Sequence, residues 1–119
     1  MKVAVSSEGP VLTSAVDQRF GRAAWFIVAD TEADGFQAVA NEQNLNAAQG
    51  AGVQAAQAVV GLDAEAVLTG HCGPKAFRTL AAAGVKVVTD VSGPVVAAVE
   101  AFKAGRFQAA GAADVEGHW

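Results

Sequence analysis

The hydrophobic period of this chain changes once, near residue 41, from two to about 3.6, and this change restricts the fold more than any other feature. Before it, residues 2–6 (KVAVS) alternate as a strand and stop at the loop signal Ser7-Glu8-Gly9-Pro10. A long loop, residues 8–22, leads to the aromatic and β-branched run Trp25-Phe26-Ile27-Val28-Ala29-Asp30. Asp34-Gly35 then signals a reversal, and residues 36–41 return with alternating character, so residues 24–41 are expected to form an antiparallel hairpin. After the change, three amphipathic segments alternate with two short apolar runs, Ala66-Val67-Leu68-Thr69 and Val85-Lys86-Val87-Val88-Thr89, in the order α-β-α-β-α.

Each amphipathic segment carries its own boundary signals. In the first, Val53, Ala56 and Val60 share a face flanked by Ala55 and Val59, and Gly61 stands where a left-handed residue after a helix is favoured. The second has Pro74 in its first turn, Phe77, Leu80 and Ala81 on one face, and Gly84 as its stop. The third is expected to be capped by Ser92 or Gly93, with Pro94 early, Val95, Val99 and Phe102 inward, and Gly105 beyond its end.

Short helical crossovers between successive strands require parallel pairing with right-handed connections, so the first strand and the two later ones should lie side by side. The hairpin then extends the sheet on the other side of strand one. The expected result is an α/β domain with a mixed five-stranded sheet of order 3-2-1-4-5, strand 2 antiparallel, and three helices: the ribonuclease-H-like arrangement. An all-parallel, flavodoxin-like sheet is the alternative, weakened because no helix fits between Asp30 and Phe36. In both, the loop after strand one and the loops at 70–74 and 90–94 leave the carboxyl ends of parallel strands, where open α/β sheets bind ligands. Helix N-termini there present unpaired N–H groups and the glycines of these loops let an anion approach closely, which predicts an anion-receptive crevice.

Composition narrows the function classes. The chain has 119 residues, 52% of them apolar, enough for one domain with a real core. That domain is expected over residues 1–106, with 107–119 a loosely held tail. No apolar run approaches the length of a membrane span, and a net charge of −4 with 7% aromatic residues argues against a general nucleic-acid binder. The charges are uneven: residues 31–74 hold Glu32, Asp34, Glu42, Asp63 and Glu65 without a base, whereas residues 75–106 hold Lys75, Arg78, Lys86, Lys103 and Arg106 against Asp90 and Glu100. A lone cysteine, Cys72, and a first strand that begins at residue 2 lead to the expectation of a cytoplasmic, reducing address.

The sharpest local signal is Gly70-His71-Cys72-Gly73-Pro74-Lys75, which puts a thiol, an imidazole and an ammonium at a helix start. The functional reading is contact with a cofactor, by sulfur ligation or by backbone N–H groups. The structural reading is a tight strand-to-helix turn with Cys72 half buried. The second signal is Asp17-Gln18-Arg19-Phe20-Gly21-Arg22, where Arg19 and Arg22 in a glycine-bearing loop suit oxyanion recognition; ordinary Asp17–arginine surface pairs are the competing reading. Phe20 is expected to anchor this loop to the core. The stretch from Asn41 to Gly52 reads as a connector or as a wall of the crevice, and His118-Trp119 as an inert tail. A nuclease would need acidic residues on the first strand, which has none, and adjacent His71 and Cys72 make a poor nucleophilic pair.

Taken together, KVAVSS, DQRFGRAAWFIVAD, the N-E-x-N stretch at 41–44 and GHCGPKAFRTLAAAGV resemble the dinitrogenase iron-molybdenum cofactor biosynthesis family over residues 1–106. The resemblance implies a ribonuclease-H-like fold that binds or carries an anionic molybdenum-containing metal–sulfur cluster without catalysis. The cluster would be an iron-molybdenum cofactor precursor or, as in the freestanding orange-protein type, a molybdenum–copper sulfide cluster. It further implies that Arg19, Gly21 and Arg22 form one lip of the site and Gly70, His71, Cys72, Gly73, Pro74 and Lys75 the other, with His71 and Cys72 the candidate metal ligands. Cofactor-assembly or cell-division proteins are the expected macromolecular partners. Two other classes remain alongside: a regulatory interaction module that works without metal, and an enzyme using the Cys72 thiolate.

Overall fold

The computed structural model describes residues 1–33, 35–41 and 51–108. Its strands are β1 (Lys2–Ser7), β2 (Trp25–Asp30), β3 (Phe36–Ala40), β4 (Ala66–Leu68) and β5 (Lys86–Val88), and its helices are α1 (Ala51–Gly61), α2 (Pro74–Ala82) and α3 (Val95–Lys103). The sheet order is β3-β2-β1-β4-β5. β1 pairs antiparallel with β2, from Lys2↔Asp30 to Ser7↔Trp25, and parallel with β4 through Val3↔Ala66 to Val5↔Leu68. β2 and β3 are antiparallel, and β4 and β5 parallel. The mixed topology expected from the change of period is therefore present, and the antiparallel β2 removes the all-parallel alternative.

The strand alternation divides the core in two. Ala4, Phe26, Val28, Val67 and Val87 point to one face, where Ala55, Ala56 and Val59 of α1 and Ala76 and Leu80 of α2 cover them. Val3, Val5, Ile27, Ala29, Ala66, Leu68 and Val88 point to the other, under Val95, Ala98 and Val99 of α3. β1 lies in the middle of both layers, and only its first residue is exposed. Removing a fully buried side chain such as Leu80 would cost about 2–5 kcal/mol.

Four local expectations need correction. The buried face of α1 is Ala51, Ala55, Ala56 and Val59, whereas Val53 and Val60 are only partly covered, because the helix presents its smallest residues to the sheet and to α2. In α2, Ala81 is exposed and Ala76 takes the inward position. Gly61 ends α1 inside the helix, and Asp63 instead adopts the left-handed conformation with φ 62°. Pro94, and neither Ser92 nor Gly93, occupies the N-cap of α3. The stops at Gly84 (φ 79°) and Gly105 (φ 73°) are where the sequence places them.

The Asp34 half of the hairpin turn, the connector from residue 42 to 50 and the chain from 109, including His118-Trp119, lie outside the described residues. Phe107, which opens the expected tail, packs partly buried against the α3 layer. Among the described residues no helix is long and apolar enough to cross a membrane.

Candidate functional site

Three loops leave the carboxyl ends of β1, β4 and β5, and buried hydroxyls join two of them. Ser6, at the end of β1, donates to the Asp17 carbonyl at 2.8 Å and lies 2.8 Å from the Thr69 hydroxyl at the end of β4. A hydroxyl has one proton, so Thr69 donates in the second bond. The Asp17 amide returns to the Ser6 carbonyl at 2.8 Å. The loop of residues 8–22 is thus stitched to the sheet, with further bridges Ser7↔Val16 and Ala15↔Pro94. Gln18 donates through Nε2 to the Val91 carbonyl at 3.0 Å, which fastens the third loop to the other two.

The arginine segment is built on this base. Asp17 is buried, and its Oδ1 accepts from the Arg19 amide at 3.0 Å, a turn that sets the direction of the chain. Phe20 is fully buried against Phe26, their ring centroids 5.3 Å apart, so it anchors the segment as expected. Its amide donates to the His71 carbonyl at 3.1 Å, and Arg19 and His71 form a parallel β-bridge. The two signals read from the sequence, 52 positions apart at Arg19 and His71, therefore lie side by side.

The glycines make this approach feasible in a different way from the one expected. A Cβ on Gly70 would stand 2.6 Å from Gln18 Cα, so Gly70 is required by the passing arginine segment. A Cβ on Gly21 would stand 2.8 Å from both the N and Cα of Gly52 at the start of α1. Both glycines are buried and hold backbones together.

The other predicted site residues divide by exposure. Arg19 and Lys75 are exposed, Arg22, His71 and Pro74 are half-buried, and Gly73 is buried. Cys72 is fully buried in the layer beneath α1 and α2, with Sγ 3.7 Å from the Gly73 carbonyl. Gly73 caps α2 without a side-chain hydrogen bond and Pro74 opens the helix. The Phe77 amide is the first to bond back, to the Gly73 carbonyl at 2.9 Å. The amides of Lys75 and Ala76 meet no acceptor among the described residues. Such a helix end carries partial positive charge, here reinforced by Lys75. Among the described residues no three His, Cys, Asp or Glu side chains gather as a ligand set for a bare metal ion. The site can therefore offer charge and N–H donors to an anion, with one imidazole beside them.

The model of the dinitrogenase iron-molybdenum cofactor family matches residues 1–105. The chain belongs to that family. It is 41% identical to the orange protein of Desulfovibrio gigas, whose apo form superposes with a TM-score of 0.93 over 96% of each chain. A NifB-like protein from Thermotoga, of the DUF35 family, is 39% identical, with a TM-score of 0.78 over 91% of each chain. A dinitrogenase-like protein from Methanocaldococcus jannaschii, 13% identical with a TM-score of 0.71 over 94% of this chain and 96% of that one, shares the fold alone. No curated protein matches the chain.

Sequence reasoning passed over Ser6, Thr69 and Gln18 as site-building residues. The signal for Ser6 was present in KVAVSS, where small hydroxyls follow a buried apolar strand, but their partners lie in remote loops.

Proposed function

We propose that this protein binds and carries an anionic metal–sulfur cluster and performs no catalysis on it. The observation that carries this reading is the Arg19–His71 bridge, which sets a cationic loop against the open start of α2. A thiomolybdate-type cluster arrives with its own sulfide ligands, so it needs few bonds to protein atoms. It does need neutralisation of its charge and donors aimed at its periphery. Arg19 and Arg22 offer planar forks of N–H groups, Lys75 a point charge, and the Lys75 and Ala76 amides two directed donors. The donor set fits such a cargo better than a bare ion, which would call for a cluster of protein ligands.

Family membership supports the molybdenum-containing class, and a relative known as an apo form is one that has a loaded form. A molybdenum–copper sulfide cluster is the cargo we assign, with an iron-molybdenum cofactor precursor as the other member of the class. Where a protein ligand is used, we assign that role to His71, which is half-buried beside the Arg19 backbone. Cys72 would have to leave the apolar layer to reach the cargo, so it serves the turn by packing. Cofactor-assembly proteins are the donors and recipients such a carrier requires.

Reconstitution tests the reading. Apo-protein mixed with tetrathiomolybdate and copper, then desalted, should retain both metals and show visible charge-transfer bands. Loss of metal and colour on the column would overturn it. A parallel trial with an isolated iron-molybdenum cofactor precursor decides between the two cargoes.

A further inference from the structure

We infer that Asn41, at the end of β3, is a positioning residue for Arg22. The inference rests on reading the arginine segment as the cationic lip of the cargo site. Asn41 is 3% exposed. Its Nδ2 donates to the Ala23 carbonyl at 2.9 Å and to the Gly21 carbonyl at 3.4 Å, the two carbonyls on either side of Arg22. Its own amide donates to the Ala24 carbonyl at 3.0 Å. One residue thus clamps the backbone around a half-buried arginine.

The remaining atom of the side chain is the informative one. Asn41 Oδ1 is buried and has no hydrogen-bond partner among the described residues. Exchanging the oxygen and nitrogen would not relieve this, because it would set the oxygen against two carbonyls, so the pattern of acceptors fixes the orientation. Both amide protons are committed to the arginine segment, so the side chain satisfies the Gly21 and Ala23 carbonyls at the expense of an acceptor that has no partner among the described residues. By contrast, the Ser6–Thr69–Asp17 connection at the other end of the segment places each hydroxyl in a hydrogen bond.

The two anchors hold opposite ends of one short stretch. Ser6 fixes Asp17, Asn41 fixes Gly21 and Ala23, and Gly21 is wedged against the start of α1. Arg19 and Arg22 lie between them along the chain. A guanidinium held in place loses less freedom when it meets an anion, which favours binding.

The test uses two variants. Asn41→Asp keeps the shape but replaces the donor by oxygen, and Asn41→Ala removes it without a new charge. In apo-protein, backbone order parameters at residues 21–23 should fall in both variants while β1 stays rigid. In protein reconstituted with tetrathiomolybdate and copper, metal loss should be about tenfold faster, the equivalent of one or two lost hydrogen bonds. In an Arg22→Ala background, the Asn41→Ala change should add no further loss, since the clamp acts through that arginine. Unchanged order parameters, or losses that simply add, would overturn the inference. If wild-type protein retained no metal, the cargo reading would fall, and the order parameters would still decide whether Asn41 positions the segment.

Discussion

The starts of α2 and α3 occupy equivalent places, each following a parallel strand at the same edge of the sheet, yet their backbones end differently. At α3, the Val95 amide donates to the Ser14 carbonyl at 2.8 Å and the Val96 amide to the Leu12 carbonyl at 2.9 Å. The loop after β1 has filled that helix end. At α2, the same loop passes alongside through the Arg19–His71 bridge and leaves the Lys75 and Ala76 amides open among the described residues. Both helices carry the same dipole, so local chemistry does not distinguish them. What distinguishes them is that the loop gives two carbonyls to the start of α3 and passes the start of α2 through the Arg19–His71 bridge. On the proposed reading, the cargo takes the place at α2 that the Leu12 and Ser14 carbonyls take at α3.

The largest expected effect comes from separating the two elements at α2. Gly70→Val would push a branched side chain into Gln18 and displace the arginine segment. It should abolish retention of the molybdenum–copper probe and destabilise the protein by about 1–3 kcal/mol, read by metal analysis after desalting and by thermal unfolding. Removing one guanidinium at a time is the next test. Arg19→Ala and Arg22→Ala should each weaken retention about tenfold or more at low salt, with a defect that narrows as salt rises, because salt screens the charge that the wild-type protein still has and the variant has lost.

Cys72→Ala separates packing from ligation. It should lower stability by about 1 kcal/mol through loss of a buried sulfur while leaving metal retention close to wild type. Retention lost in a folded Cys72→Ala protein would restore sulfur ligation and weaken the contrast drawn between the two helix starts.

The smallest effect belongs to the opposite edge of the sheet. The Glu32 amide, 2.9 Å from Asp30 Oδ1, holds the Asp30 carboxyl below its ordinary range, helped by the N-terminal ammonium 3.5 Å away. Its folded value lies below its unfolded one, so its contribution to stability is present above the unfolded value and is lost as pH falls through the folded one, in a window below about pH 4. Asp30 is exposed enough for solvent to screen the interaction. Asp30→Asn should flatten the acid limb of a stability profile slightly and leave metal retention unchanged.

Much of the fold was legible because its signals are periodic. Alternation over residues 36–41 and helical spacing after residue 51 select a hairpin and crossovers, and the strand order follows from connection rules. The closeness of the two site segments was legible as topology, since both leave carboxyl ends of neighbouring strands. Their detailed roles were not. Gly21 and Gly70 looked like openings for an anion, but the atoms that demand a missing Cβ belong to Gly52 and Gln18, which no local pattern connects to them. Cys72 at a helix start could have faced either side of the turn, and the choice was made by the apolar layer it completes. The closure of α3 by Leu12 and Ser14 uses backbone carbonyls, which leave no trace in side-chain identity.

The two helix starts are told apart by following backbone amides of the apo-protein while tetrathiomolybdate and copper are added. Shifts are expected at residues 19–22 and at Lys75 and Ala76, with Val95 and Val96 unmoved. Shifts centred on the start of α3, or none at the start of α2, would contradict the cargo reading.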